Sequence, residues 1–219
     1  MQPSNIQLNE LVKDDIPRQF LFEIVVFLFN TYKSAHLYIK SEFGTTDEAK
    51  DLLPYFRRAR IEQGIRLIAE RHAKTNDTIK VRSERNGANN CSHNEIICGR
   101  VLITESCVDG PNEMVPYAAF RTTLAKDSQL ELALCDNNFD GDFYYGIILH
   151  GALNPDTNYP SFVRLAFPNR DCKTYAGFVD LIDFCEFDVS MFSNVSEEVI
   201  DDKISEPEFR TDLQKQKEA

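Results

Sequence analysis

At Asn76-Asp77 the hydrophobic period of the chain changes. Upstream, apolar residues recur every three to four positions; downstream, they alternate. The first period lines one face of a helix and the second lines one face of a strand. Helices are therefore expected in the first third of the chain and strands after it. Elements segregated in this way indicate the α+β class: an N-terminal segment of two to three helices packed on a mainly antiparallel sheet of about five strands. Residues 1–76 and 77–193 read as one globular unit. Residues 194–219 are charged and poor in aromatics, and read as an acidic mobile tail.

Within the helical part, Asp14-Asp15-Ile16-Pro17 reads as a helix start, and Arg18 to Phe43 as one long helix. Its FLFEIVVFLF run is apolar on nearly all sides, so cover is expected on more than one face. Gly44 is a natural stop. Thr45-x-x-Glu48 reads as a capping box for a second helix. Pro54 is expected to end that helix near Leu53 and to open another. The helix from Pro54 to about Lys74 carries a core stripe of Ile61, Ile65, Ile68 and His72. Steps of about 100° put Arg60, Arg71 and Lys74 on its opposite face, with Arg57 at the margin.

Downstream, Thr78 to Glu84 alternates as a strand, Arg85 to Asn94 is a polar loop, and Ile96 to Thr104 reads as one central strand. Pro116 to Lys126 reads as a short helix. Gln129 to Leu134 and DFYYGIILHG, joined through DNNFDG, read as an antiparallel hairpin. On it, Tyr144-Tyr145 would place one ring on each side of the sheet, leaving one for solvent. Ser161 to Phe167 is a further strand. Phe178 to Phe187 fits a strand or a helix equally well.

The Phe20–Phe29 run is shorter than the roughly 20 apolar residues of a spanning helix. Acidic Glu10, Asp14 and Asp15 stand where a secretory leader would be basic. A cytoplasmic protein without membrane contact is therefore expected. Six cysteines occur at irregular spacing with no C-x-x-C pair, which points to reduced, structural thiols. Cys98, Cys135 and Cys185 stand in apolar runs, where a thiol acts as a small hydrophobe. Cys91, two residues from His93, is a weaker nucleophile candidate. No phosphate loop, nucleophile elbow or H-E-x-x-H helix occurs. Asp136, Asn138, Asp140 and Gly141 imitate a calcium loop, but Ile147 stands where its bidentate Glu is required. No cofactor and no metal is expected.

The 219 residues carry 24 Lys+Arg against 35 Asp+Glu, a net charge of −11. That field repels polyanions in general. The balance is uneven, however. From Tyr55 to Arg85, nine Lys/Arg stand against four Asp/Glu, a local +5 that leaves −16 for the rest. One interpretation is a solvated helix face partly paired with Glu62 and Glu70. The other is an anion-facing surface made by Arg57, Arg60, Arg71 and Lys74.

Three functions follow. The leading one is an intracellular binding or regulatory module that recognises an anionic partner, nucleic acid or an acidic protein surface, through that basic helix. A protein partner or a second copy of the chain suits the same division of charge. The second is a small phosphodiesterase or ribonuclease-like hydrolase. His93 and Glu95 would share one face of a strand, so the carboxylate can orient the imidazole. With Arg121 and His150, both embedded in apolar sequence, they would move a proton and stabilise phosphorane-like charge. A metal-dependent variant built on Glu84, Glu95, Asp142 and Asp180 lacks the usual acidic-x-Lys strand. The third function is a structural subunit whose Phe-rich helix packs on a partner.

Overall fold

The computed structural model describes residues 5–85, 92–128, 143–154 and 157–190. The expected hairpin partner at 129–134, the DNNFDG connection, Cys91, Cys135, Asp142 and the tail from 194 onward lie outside the described residues. The element order is α1 (Asn5–Asp15), α2 (Arg18–Phe43), α3 (Asp47–Ala73), β1 (Ile79–Arg85), β2 (Ser92–Cys98), β3 (Val101–Cys107), α4 (Ala119–Asp127), β4 (Tyr144–Gly151), β5 (Phe162–Pro168), β6 (Tyr175–Asp180) and α5 (Leu181–Phe184). The α+β class holds, with six described strands rather than about five. They lie in sequence order across one sheet, β1-β2-β3-β4-β5-β6. All neighbours are antiparallel except β3 and β4, which are parallel.

Helices α2 and α3 follow from their sequence with three local departures, whereas α1 was not among the expected helices. Asp14 and Asp15 close α1 rather than open α2, whose N-cap is Pro17. Asp15 is used elsewhere: it accepts hydrogen bonds from the Arg100 backbone N–H at 2.8 Å and from its guanidinium at 2.6 Å. The cap of α3 is Thr46, one residue later than expected, and its hydroxyl accepts from the Ala49 N–H at 3.2 Å. Pro54 lies inside a continuous α3. Its ring removes one backbone donor, but the helix runs on because Ile61, Ile65, Ile68 and Ala69 bury one side of it. Helix α2 is covered on more than one face, as its all-round apolar run requires. Phe20, Leu21, Ile24, Val25, Leu28 and Phe29 have no exposed surface.

The expected strand Ile96 to Thr104 is two strands. Gly99 adopts φ +54°, a left-handed conformation that suits glycine, and the chain reverses there. His93 and Asn94 accordingly stand in β2 rather than in a loop. The expected helix Pro116–Lys126 begins three residues later, at Ala119. Phe178 to Phe187 is neither strand nor helix throughout: β6 runs to Asp180, whose side chain then caps α5.

Both faces of the sheet are covered. Leu102, Tyr145, Ile147 and Leu149 pack with Leu124 and Ala125 of α4. The alternate residues of β4, including His150, face α2 through Tyr32. Tyr144 and Tyr145 are consequently both buried, and neither ring reaches solvent. Tyr145 instead shares a hydrogen bond of 2.9 Å with Thr104. Among the described residues, no helix is long and apolar enough to cross a membrane.

Candidate active site

The site lies where the sheet splits. β2 and β3 pair only from Ile96↔Ile103 to Cys98↔Val101. Beyond that register, Ser92–Asn94 of β2 and Thr104–Cys107 of β3 form opposite walls of a cavity of about 560 Å³. Arg57 and Ile61 of α3 close one side; Phe120 and Arg121 of α4 close the other. A volume of several hundred Å³ suits a small-molecule ligand or one end of a larger one.

On the β2 wall, His93 and Glu95 share a strand face, as two-residue spacing requires. His93 Nε2 donates to Glu95 at 3.0 Å. Glu95 also accepts from Arg82 Nε of β1 at 2.6 Å. The Glu95 side chain is 5% exposed and that of His93 14%, so the carboxylate lies behind the imidazole. The His93 ring stacks on Phe120, with centroids 3.6 Å apart and planes at 15°. Its Nδ1 is buried and, among the described residues, makes no hydrogen bond.

On the β3 wall, Glu105 and Cys107 share the α2-facing side, and parallel pairing sets Cys107 directly beside His150 of β4. His150 is 1% exposed. Both of its nitrogens are engaged: Nε2 lies 3.1 Å from Glu105 Oε2, and Nδ1 lies 2.9 Å from the Tyr32 hydroxyl. The same hydroxyl lies 3.7 Å from Cys107 Sγ. A continuous chain Glu105–His150–Tyr32–Cys107 thus ends on an exposed sulfur in the cavity wall.

The charges around this chain favour a thiolate. Burial opposes ionisation of Cys107. Hydrogen bonding and charge from His150, the Tyr32 hydroxyl and the Arg57 guanidinium outweigh it, holding the thiol below its ordinary range. Burial likewise opposes the imidazolium of His150, yet Tyr32, Cys107 and Glu105 lift its pKa well above the usual value. Burial raises the Tyr32 phenol, so the residue stays neutral and can both donate and accept.

Two guanidiniums line the same cavity. The Arg57 guanidinium lies 4.0 Å from the centre of the Tyr32 ring. Arg121 donates from Nη2 to the Glu105 carbonyl at 3.3 Å and from Nη1 to the Pro116 carbonyl at 3.0 Å. Nε of each is buried and, among the described residues, without a hydrogen-bond partner.

His93, Arg121, His150 and Arg57 therefore line one cavity, with Glu95 behind His93. The remaining members of the basic face go elsewhere. Arg71 pairs with Glu23 of α2, which also accepts from His72 at 3.0 Å. The Arg60 guanidinium lies 5.9 Å from the Phe56 ring centre, and Lys74 is exposed at the end of α3. Among the described residues, no three His, Cys, Asp or Glu side chains stand close enough together to hold a metal ion.

The described cysteines are all free, and they differ in exposure. Cys98 and Cys185 are buried, whereas Cys107 is exposed. Tyr32 and Glu105 were equally unmarked by motif. The available signal was parity: in Ile103-Thr104-Glu105-Ser106-Cys107, the acid and the thiol fall on the same side of a strand that is otherwise core. Comparison with protein families, curated proteins and solved structures finds no match to this chain.

Proposed function

We propose that the cavity is the active site of a thiol-dependent hydrolase or transferase acting on an anionic substrate, with Cys107 as nucleophile. The observation that supports this most is the Glu105–His150–Tyr32–Cys107 chain ending on a cavity-facing sulfur. A nucleophile, a base and a group that orients the base are the parts covalent catalysis needs. His150 has no nitrogen left for substrate, so it acts through Tyr32. Protonated at both nitrogens, it donates to Glu105 and to the Tyr32 oxygen. Tyr32 then donates its own proton toward the Cys107 thiolate. Arg57 and Arg121 attract the anion and stabilise charge that develops on it.

The test is the pH dependence of Cys107 alkylation by iodoacetamide, followed by peptide mass spectrometry on the intact chain. Cys107 should react at lower pH than an ordinary thiol. Tyr32→Phe and His150→Gln should each move its midpoint upward. An unshifted midpoint in the wild-type protein overturns the proposal.

A second reading keeps recognition without chemistry. Arg60 and Lys74 are exposed on α3, where an anionic protein or nucleic acid can meet them.

A further inference from the structure

We infer that the substrate class is a phosphate monoester, its dianion held between Arg57 and Arg121 and its leaving group protonated by His93. This rests on Cys107 being the nucleophile.

The first of three observations favours phosphoryl over acyl chemistry, and the other two concern the leaving group. First, the cavity offers two guanidiniums from different elements, α3 and α4, each with a buried Nε lacking a partner among the described residues. Two planar cations lining one cavity match a group that presents several charged oxygens. An acyl substrate develops charge on a single oxygen. Second, acid work is divided. His150 is tied at both nitrogens to Tyr32 and Glu105, so it activates the thiol but cannot reach a departing group. His93 stands on the opposite wall with Nδ1 uncommitted among the described residues, while its Nε2 is held by Glu95. A basic leaving oxygen departing from phosphorus is helped by such a separate acid. Third, Tyr55 and Tyr117 line the mouth of the cavity and are 74% and 87% exposed. Two aromatic faces at the opening suit an aromatic or heterocyclic alcohol as the leaving group.

The reaction balances without a co-reactant other than water. The Cys107 thiolate attacks phosphorus, forming an S–P bond as the P–O(ester) bond breaks. The leaving oxygen takes the proton from His93 Nδ1. Water then attacks the thiophosphate, giving its proton to the now neutral His93. The S–P bond breaks, inorganic phosphate departs and the thiolate is restored.

The experiment uses the full chain with a chelator present and compares p-nitrophenyl phosphate, phenyl phosphate and p-nitrophenyl acetate. The expected result is release of phenol and inorganic phosphate from both phosphates. It should be abolished in Cys107→Ser and inhibited by orthovanadate, with a phosphocysteine trapped by acid quench. His93→Ala should cost about 10²- to 10⁴-fold on phenyl phosphate, the range for a lost general acid. It should cost much less on p-nitrophenyl phosphate, whose leaving group needs no proton. Cys107-dependent turnover of the acetate alone overturns the phosphate inference and leaves the thiolate site intact. A normal alkylation profile with no Cys107-dependent turnover of any ester overturns both. Equal losses on both phosphates in His93→Ala remove its role as acid.

Discussion

Cys107 and His150 titrate as a pair, so their protons leave in macroscopic steps that belong to both. The lowered thiol and the raised imidazole both shift the pair toward the thiolate–imidazolium form. The imidazole shift also sets a direction for stability. A base whose folded pKa lies above its unfolded one stabilises the fold fully below the unfolded value, and that contribution is lost as pH rises through the folded value. The melting-temperature difference between wild type and His150→Gln should accordingly be largest in mild acid and shrink as pH rises. A difference that grows with pH contradicts the raised imidazole. Of these residues, the sequence marked His150 because a polar side chain amid Ile-Ile-Leu needs a reason to be there. It did not mark Tyr32, since a tyrosine inside a Phe-rich helix looks like core until its hydroxyl partner is known.

The elements differ in how readily they could be read. Helices α2 and α3 were visible because local periodicity determines them, and their errors are confined to caps and to Pro54. The β2–β3 reversal was hidden because a run apolar on both parities looks like one buried strand. What breaks it is Gly99 together with a distant acid, Asp15, that clasps Arg100. At the end of β4, backbone approach is the controlling factor. A Cβ built on Gly151 would come within 2.0 Å of the Val108 carbonyl oxygen and 2.8 Å of the Phe162 ring. The oxygen belongs to backbone and cannot swing away. Gly151→Ala should therefore destabilise the protein by about 1–3 kcal/mol, the usual range for overpacking, read from the denaturant midpoint. Because residue 150 is adjacent, the Cys107 alkylation midpoint should move with it.

Across the whole molecule, an acidic protein concentrates a few cations around one opening. The excess on Tyr55–Arg85 was legible by counting. Its division was not, because only tertiary packing decides that Arg71 is spent on Glu23 while Arg57 turns into the cavity. Convergence of His93 with His150 was equally out of reach, since it depends on where two neighbouring strands stop pairing. Protection of Cys107 from iodoacetamide by inorganic phosphate separates a local anion site from a broad basic face. Arg57→Ala should weaken that protection about tenfold or more, the scale of a lost charge-assisted hydrogen bond. The double variant Arg60→Glu/Lys74→Glu should leave it within about twofold, because both side chains are exposed to solvent and neither lines the cavity. Equal losses in the two variants would favour recognition along α3 over a confined site.

The parallel pairing of β3 with β4 has a consequence for when this chemistry can exist. Cys107 and His150 are 43 positions apart, yet the β3–β4 pairing, the one parallel pair among the described strands, sets them side by side. Such crossover contacts carry a large loop-closure cost and tend to assemble late. A newly made or partly unravelled chain therefore carries an ordinary, sluggish sulfur. Reactivity follows this slow long-range pairing, so the rate at which the thiol is labelled reports on closure of that strand pair.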